Sequence, residues 1–173
     1  GHAFDFPWAN QALFHGAYAR TDSYFENSDL AAEGPPGPDE LALLEPLRGG
    51  LPPEVLSKDY DPPGPDDRRG MREALLEATD LLEQAGWIIR DGRRVDARTG
   101  RPLAFEILLD NPTFERVALP LVDNLRRLGI EAQVRTVDTA QYQNRVRSFD
   151  FDMTVHGWGQ SLSPGNEQRD YWT

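Results

Sequence analysis

The chain contains no cysteine. That excludes disulfides, thiolate-ligated zinc and a cysteine nucleophile. Histidine is scarce, and His2, His15 and His156 stand at no metal-binding spacing, so neither a metal nor a cofactor is expected. No uninterrupted run of about 18 apolar residues occurs, so no segment has the make-up of a transmembrane helix. Positive charge is short as well: 18 lysines and arginines stand against 29 aspartates and glutamates, a formal net charge of −11. Such a balance repels phosphate backbones and anionic membrane surfaces, so no nucleic-acid partner is expected. Neither a nucleophile elbow nor a phosphate-binding loop is present. The run Gly34-Pro35-Pro36-Gly37-Pro38 is no substitute, because prolines remove the amide donors that a phosphate cradle needs.

What is present is unevenly spread. From residue 70 onward the pattern is regular. Met71, Ala74, Leu75, Ala78, Leu81, Leu82 and Ala85 recur at helical spacing, and Gly86 supplies the stop. Trp87-Ile88-Ile89-Arg90 then meets Asp91-Gly92, a two-residue hairpin signal. Leu103, Phe105, Ile107 and Leu109 alternate with other residues as in a strand with one buried face. Asn111 or Thr113 caps the next helix, whose apolar face is read as Phe114, Val117, Leu121, Leu125 and Leu128. Ile130, Ala132, Val134 and Thr136 alternate again. Residues 139–147 read as a short helix. A last strand spans 149–155, with Phe149, Phe151, Met153 and Val155 on one face. The order β-α-β-α-β predicts a parallel sheet with right-handed crossovers.

The strand at 149–155 runs into Gly157-Trp158-Gly159-Gln160 and then a polar loop with Pro164-Gly165. Glycine on either side of a tryptophan leaves backbone groups accessible beside a large aromatic face. Loops at the carboxyl ends of strands in α/β sheets are where ligands sit. Trp158 is open to two readings, a stacking wall for a ligand or an aromatic of the core.

Residues 1–69 read differently. Residues 3–20 are expected to be a helix with Pro7 in its first turn, Trp8, Ala12 and Leu13 buried, and no upstream cap. Prolines at 35, 36, 38, 52, 53, 62, 63 and 65 then break the chain into an irregular arm, with one or two helical turns at 41–47. The domain reading is accordingly a helix plus Pro/Gly-rich arm over 1–69 and an α/β part over 70–173, both belonging to one lobe.

Several segments, taken in order, resemble family 5 extracellular solute-binding proteins, the peptide-binding subunits of ABC importers. They are Ala3 to Phe6 with Leu13 to Phe25, then Leu82-Glu83-Gln84-Ala85-Gly86-Trp87, Pro102 to Leu109, Leu125-Arg126-Arg127-Leu128-Gly129-Ile130, and Phe151 to Trp158. The tail Ser163 to Trp172 resembles the branch that handles longer oligopeptides and microcin C-type conjugates. The resemblance implies an α/β fold of the periplasmic binding protein type II class, here part of the C-terminal lobe and truncated at both ends. It implies an oligopeptide ligand, ABC permease subunits as partners, and a periplasmic or membrane-attached extracytoplasmic location. It implies no catalysis. An isolated lobe fragment of this kind is expected to self-associate.

Carried over by position, the resemblance makes Gly157 and Gly159 main-chain contacts and Trp158 a stacking wall. Several relatives carry an aspartate three residues after that tryptophan, which pairs with the ligand's amino group. Here the position is Ser161, and a hydroxyl cannot neutralise an ammonium. Glu167 and Asp170 are the candidates for the missing charge, against a reading as ordinary solvated side chains. Asn166 either bonds a peptide group or finishes a turn. Asp22, Ser23 and Tyr24 form a second candidate cluster, in which Asp22 serves equally well as a local cap. The alternative functions are a hydrolase lobe using Asp150 and Asp152, which share a strand face, and a scaffold that binds no ligand.

Overall fold

In the computed structural model, which describes residues 1–66 and 70–172, the first helix is short because its ends are capped locally. Asp5 accepts the backbone N–H of Trp8 at 3.1 Å, supplying the cap that the sequence reading found missing. His15 and Gly16 then take positive φ and end the helix. The Asn10 side chain bonds both the N–H and the carbonyl of Tyr18, turning the chain back on itself. The helix is therefore α1 (Phe6–Phe14), shorter than the expected 3–20, and it buries Ala9 while Trp8 stays exposed.

The remaining elements are α2 (Pro38–Leu44), α3 (Met71–Gln84), β1 (Trp87–Arg90), β2 (Arg93–Asp96), β3 (Ala104–Leu109), α4 (Glu115–Arg127), β4 (Glu131–Thr136), α5 (Thr139–Arg147), β5 (Met153–Thr154) and α6 (Glu167–Trp172). Short 3₁₀ stretches occupy Glu45–Gly50, Pro53–Leu56 and Pro112–Phe114. Contacts group the chain into two units, Gly1–Ala19 with Pro63–Gly157, and Arg20–Pro62 with Trp158–Thr173. The division expected between residues 69 and 70 adjoins residues 67–69, which lie outside the described residues.

The first unit contains a parallel sheet in the order β4-β3-β5. Ala104 to Leu109 pair in register with Glu131 to Thr136, and Ile107 and Leu108 pair with Met153 and Thr154. This is the β-α-β-α-β arrangement read from the alternation. Ile107, Leu108 and Leu109 are fully buried, as befits the central strand of a parallel sheet. Each contributes about 1.5–3 kcal/mol by leaving water. Ile107 and Leu109 pack on Ala118 and Val122 of α4. Leu125 of that helix and Leu128 at its end are buried as expected, whereas Ala118 and Val122 are buried one position on from the expected Val117 and Leu121, which are half-buried, and Phe114 is exposed. Small residues at 118 and 122 let the helix approach the sheet, which the larger Phe114 would prevent.

The last strand is much shorter than expected. Phe149 adopts φ 55° and is 84% exposed, so the extended run cannot begin there. Asp152 Oδ2 accepts the backbone N–H of Glu106 at 2.9 Å, taking a donor that a longer strand would have bonded through its backbone. The Thr154 hydroxyl donates to the Leu108 carbonyl at 2.9 Å, and the Tyr142 hydroxyl lies 2.9 Å from Thr154 Oγ1.

The hairpin β1–β2 turns at Asp91 and Gly92, both at positive φ, as a two-residue connection of this type requires. It is anchored by a buried arginine. Arg94 is 2% exposed; its Nε donates to the Leu128 carbonyl at 3.0 Å and its Nη1 to the Trp87 carbonyl at 3.2 Å. Its backbone N–H donates to the Gly129 carbonyl at 2.7 Å.

The second unit is held mostly by turns and side-chain bonds. The Glu40 carboxylate accepts the Gly37 N–H at 2.7 Å and caps α2, while Asp59 accepts the Gly34 N–H at 3.0 Å.

Candidate functional site

The second unit holds a cavity of about 680 Å³ with four aromatic rings on its walls. Tyr24, Trp158, Tyr171 and Trp172 line it, together with Gln160, Ser161, Leu162 and the short segment that carries Thr21, Ser23, Glu26 and Asn27. Trp158 is 62% exposed and Trp172 69%, although large aromatics ordinarily bury most of their surface. Exposed rings gathered around one concavity make it the candidate site of this unit.

The rings are held in place by a hydrogen-bond chain. Trp172 Nε1 donates to the Tyr24 hydroxyl at 2.8 Å, and that hydroxyl donates to Gln168 Oε1 at 2.9 Å. Gln160 Nε2 donates to the Tyr24 carbonyl at 3.1 Å. Tyr171 donates to the Gly159 carbonyl and meets Trp158 edge to face, with centroids 4.9 Å apart. These bonds fix the orientation of the rings.

The loop between Trp158 and α6 is stapled by Glu167. Its carboxylate accepts the Gly165 N–H at 3.0 Å and lies 2.9 Å from Ser161 Oγ. Its own backbone N–H, then that of Gly165 and the Ser161 hydroxyl, hold its pKa at about 2, against an ordinary 4.5. Ser161 Oγ also lies 2.5 Å from the Ser163 carbonyl, so its single proton serves the loop.

The residues singled out in the sequence separate accordingly. Trp158, Ser161 and Tyr24 come together at the cavity. Gly159 contributes its carbonyl to Tyr171. Glu167 faces the loop. Asn166 is exposed, and its carbonyl accepts the N–H of Arg169 at 2.9 Å, opening α6. Asp22 and Asp170 are exposed and are not among the cavity walls. Gly157 is the last residue of the first unit. Sequence reasoning missed Glu26, Gln160, Tyr171 and Trp172 as wall residues. The aromatic pair in the tail was a signal that could have found the last two; nothing local marks Glu26.

The two carboxylates weighed for hydrolysis have structural partners. Asp150 Oδ2 pairs with Arg145 Nε at 3.0 Å, and Arg145 Nη1 pairs with Glu106 at 2.7 Å. Asp152 bonds the Glu106 N–H, as described above. Among the described residues no group of three or more His, Asp or Glu side chains is gathered to hold a metal ion. Nor is any helix among them long and apolar enough to cross a membrane.

The profile of the bacterial extracellular solute-binding proteins, family 5 Middle, matches residues 1–173. The chain is 48% identical, over 99% of its length, to the uncharacterized protein y4wM of Sinorhizobium fredii. It is 45% identical, also over 99%, to the probable peptide-binding protein YejA of Agrobacterium fabrum. It spans 26% and 28% of those two proteins. A crystal structure of NikA from Brucella suis in complex with Fe(III)-EDTA superposes on 94% of this chain with a TM-score of 0.56 and 23% identity, over 27% of its own length. That likeness concerns the fold, which is the mixed α/β architecture of part of a periplasmic binding protein of type II. The chain belongs to the bacterial extracellular solute-binding proteins, family 5.

Proposed function

We propose that this chain carries part of the ligand-binding surface of an ABC-importer solute-binding protein, which captures oligopeptides or peptide conjugates outside the cytoplasm and hands them to membrane permease subunits. The observation that carries the reading is the aromatic cavity of the second unit. Its rings offer stacking area, and the polar side chains of Thr21, Ser23, Asn27 and Gln160 beside them offer hydrogen bonds to a peptide backbone. The similarity to the probable peptide-binding protein of Agrobacterium fabrum supports the same ligand class. Nothing in the arrangement of Asp150 and Asp152 favours hydrolysis, and the reading assigns this chain no chemistry of its own.

The experiment is native mass spectrometry of the full-length protein incubated with a peptide library, followed by calorimetry on the species retained. Bound peptides are expected, and Trp158→Ala should weaken them by about tenfold or more, the usual consequence of removing a central aromatic. An absence of bound peptide counts against the reading. Equal affinity in wild type and variant would favour the scaffold alternative. The isolated 173-residue chain should bind peptides only weakly. It should also self-associate at high concentration, because Phe114, Met153 and Val155 are exposed on the first unit. A strictly monomeric sedimentation profile contradicts that expectation.

A further inference from the structure

We infer that the aromatic cavity takes a cationic group of its ligand, with Glu26 as the counter-ion; the inference rests on the peptide-binding reading above. Among the described residues that line the cavity, Glu26 alone carries a formal charge, and no lysine, arginine or histidine stands among them. Its side chain is half-buried, and its carboxylate makes no hydrogen bond or ion pair with any described residue. The backbone N–H of Glu26 bonds the Ser23 carbonyl at 3.3 Å, which fixes the residue on the wall.

A carboxylate partly withdrawn from water without a partner is costly, and a cation relieves that cost. The surroundings favour the same sign. Aromatic faces carry negative potential and attract cations. Tyr24 and Trp172 stand with centroids 6.0 Å apart and planes tilted by 47°, so they offer ring faces in two directions. A guanidinium suits such walls, since it stacks flat on a ring while donating to a carboxylate. An amino terminus has the same charge without the flat face.

The other carboxylates do not compete for the role. Glu167 is engaged by Gly165 and Ser161, and neither Asp22 nor Asp170 lines the cavity. Ser161 is engaged by Glu167 and the Ser163 carbonyl. The segment around residue 26 thus supplies the one carboxylate among the described cavity walls.

The test uses the full-length protein and three synthetic probes: an N-acetylated peptide with one arginine, the same peptide with neutral citrulline in its place, and the citrulline peptide with a free amino terminus. Calorimetry on the wild type should show at least one charged probe binding about tenfold to a hundredfold more tightly than the neutral one, the span expected of a charge-assisted hydrogen bond. In Glu26→Gln the preference for the charged probe over the neutral one should collapse. Loss of preference for the arginine probe assigns the cavity to a side chain; loss for the free-amine probe assigns it to the amino terminus. If the wild type binds all three alike, or Glu26→Gln keeps its preference, the inference is wrong and the peptide reading stands. If the wild type binds none of the three, the peptide reading fails, and this inference with it.

Discussion

Glu167 Oε1 lies 2.9 Å from Ser161 Oγ, and the same oxygen accepts the Gly165 N–H at 3.0 Å. An acidic residue close in sequence to the Gly-Trp-Gly loop is thereby committed to shaping that loop. Its consequence is a pH dependence with a defined sign. The folded-state pKa of Glu167 is about 2, below its ordinary 4.5. The stabilisation of the loop is therefore fully present above about pH 4.5 and is lost as pH falls from 4.5 towards 2. The Gly165 amide resonance should titrate near pH 2 in the wild type and show no such transition in Glu167→Gln. A midpoint near 4.5 in the wild type would contradict the assignment.

Gly129 should tolerate no side chain. It sits at φ 80°, and an added Cβ would lie 2.8 Å from Ile89 Cδ1 and 2.9 Å from the backbone nitrogen of Arg94. The isoleucine tip can move, but the backbone of β2 cannot do so without breaking its bond to the Gly129 carbonyl. Gly129→Ala is expected to cost about 2–5 kcal/mol, combining left-handed backbone strain with overpacking. Urea denaturation reads this as a lower midpoint, and an unchanged midpoint would show that the hairpin is not seated against the end of α4.

Arg94 should matter through its hydrogen bonds more than through its charge. Arg94→Met keeps much of the packed stem and leaves the carbonyls of Leu128 and Trp87 without the donors they now have. The expected loss is about 2–4 kcal/mol, from one buried and one partly buried acceptor at about 1–3 kcal/mol each with partial relaxation. Lysine at the same position should recover only part of it, because a single ammonium cannot reproduce the forked geometry. Chemical denaturation of the three proteins orders them wild type, lysine, methionine.

How much of this was legible beforehand depended on the range of the interaction. The alternation at 103–109 and 130–136, the helix at 71–84 and the Asp91-Gly92 turn were all read correctly, because strand and helix periodicity and turn stereochemistry act over a few residues. The ordered motifs likewise sufficed for the family, since each is a contiguous string. The length of α1 was misjudged because a side-chain cap at Asp5 and the bond from Asn10 to Tyr18 override a smooth helical pattern. The strand at 149–155 was overextended because a run of alternating residues does not reveal a positive φ at Phe149 or a side chain taking a backbone donor.

The sequence by itself determined most of the helices and strands between residues 70 and 147, the parallel sense of the sheet and the net negative charge. Only the tertiary structure decided which polar groups are buried and which rings share a wall. Arg94 looks like any strand arginine until the end of α4 closes over it, where burial would be prohibitive without the carbonyls of Leu128 and Trp87. Tyr24 and Trp172 are 148 residues apart and become hydrogen-bonded neighbours. Glu26 becomes the charged wall of a cavity for the same reason. Such encounters depend on the path of the chain through space, and no local pattern of residues encodes that path by itself.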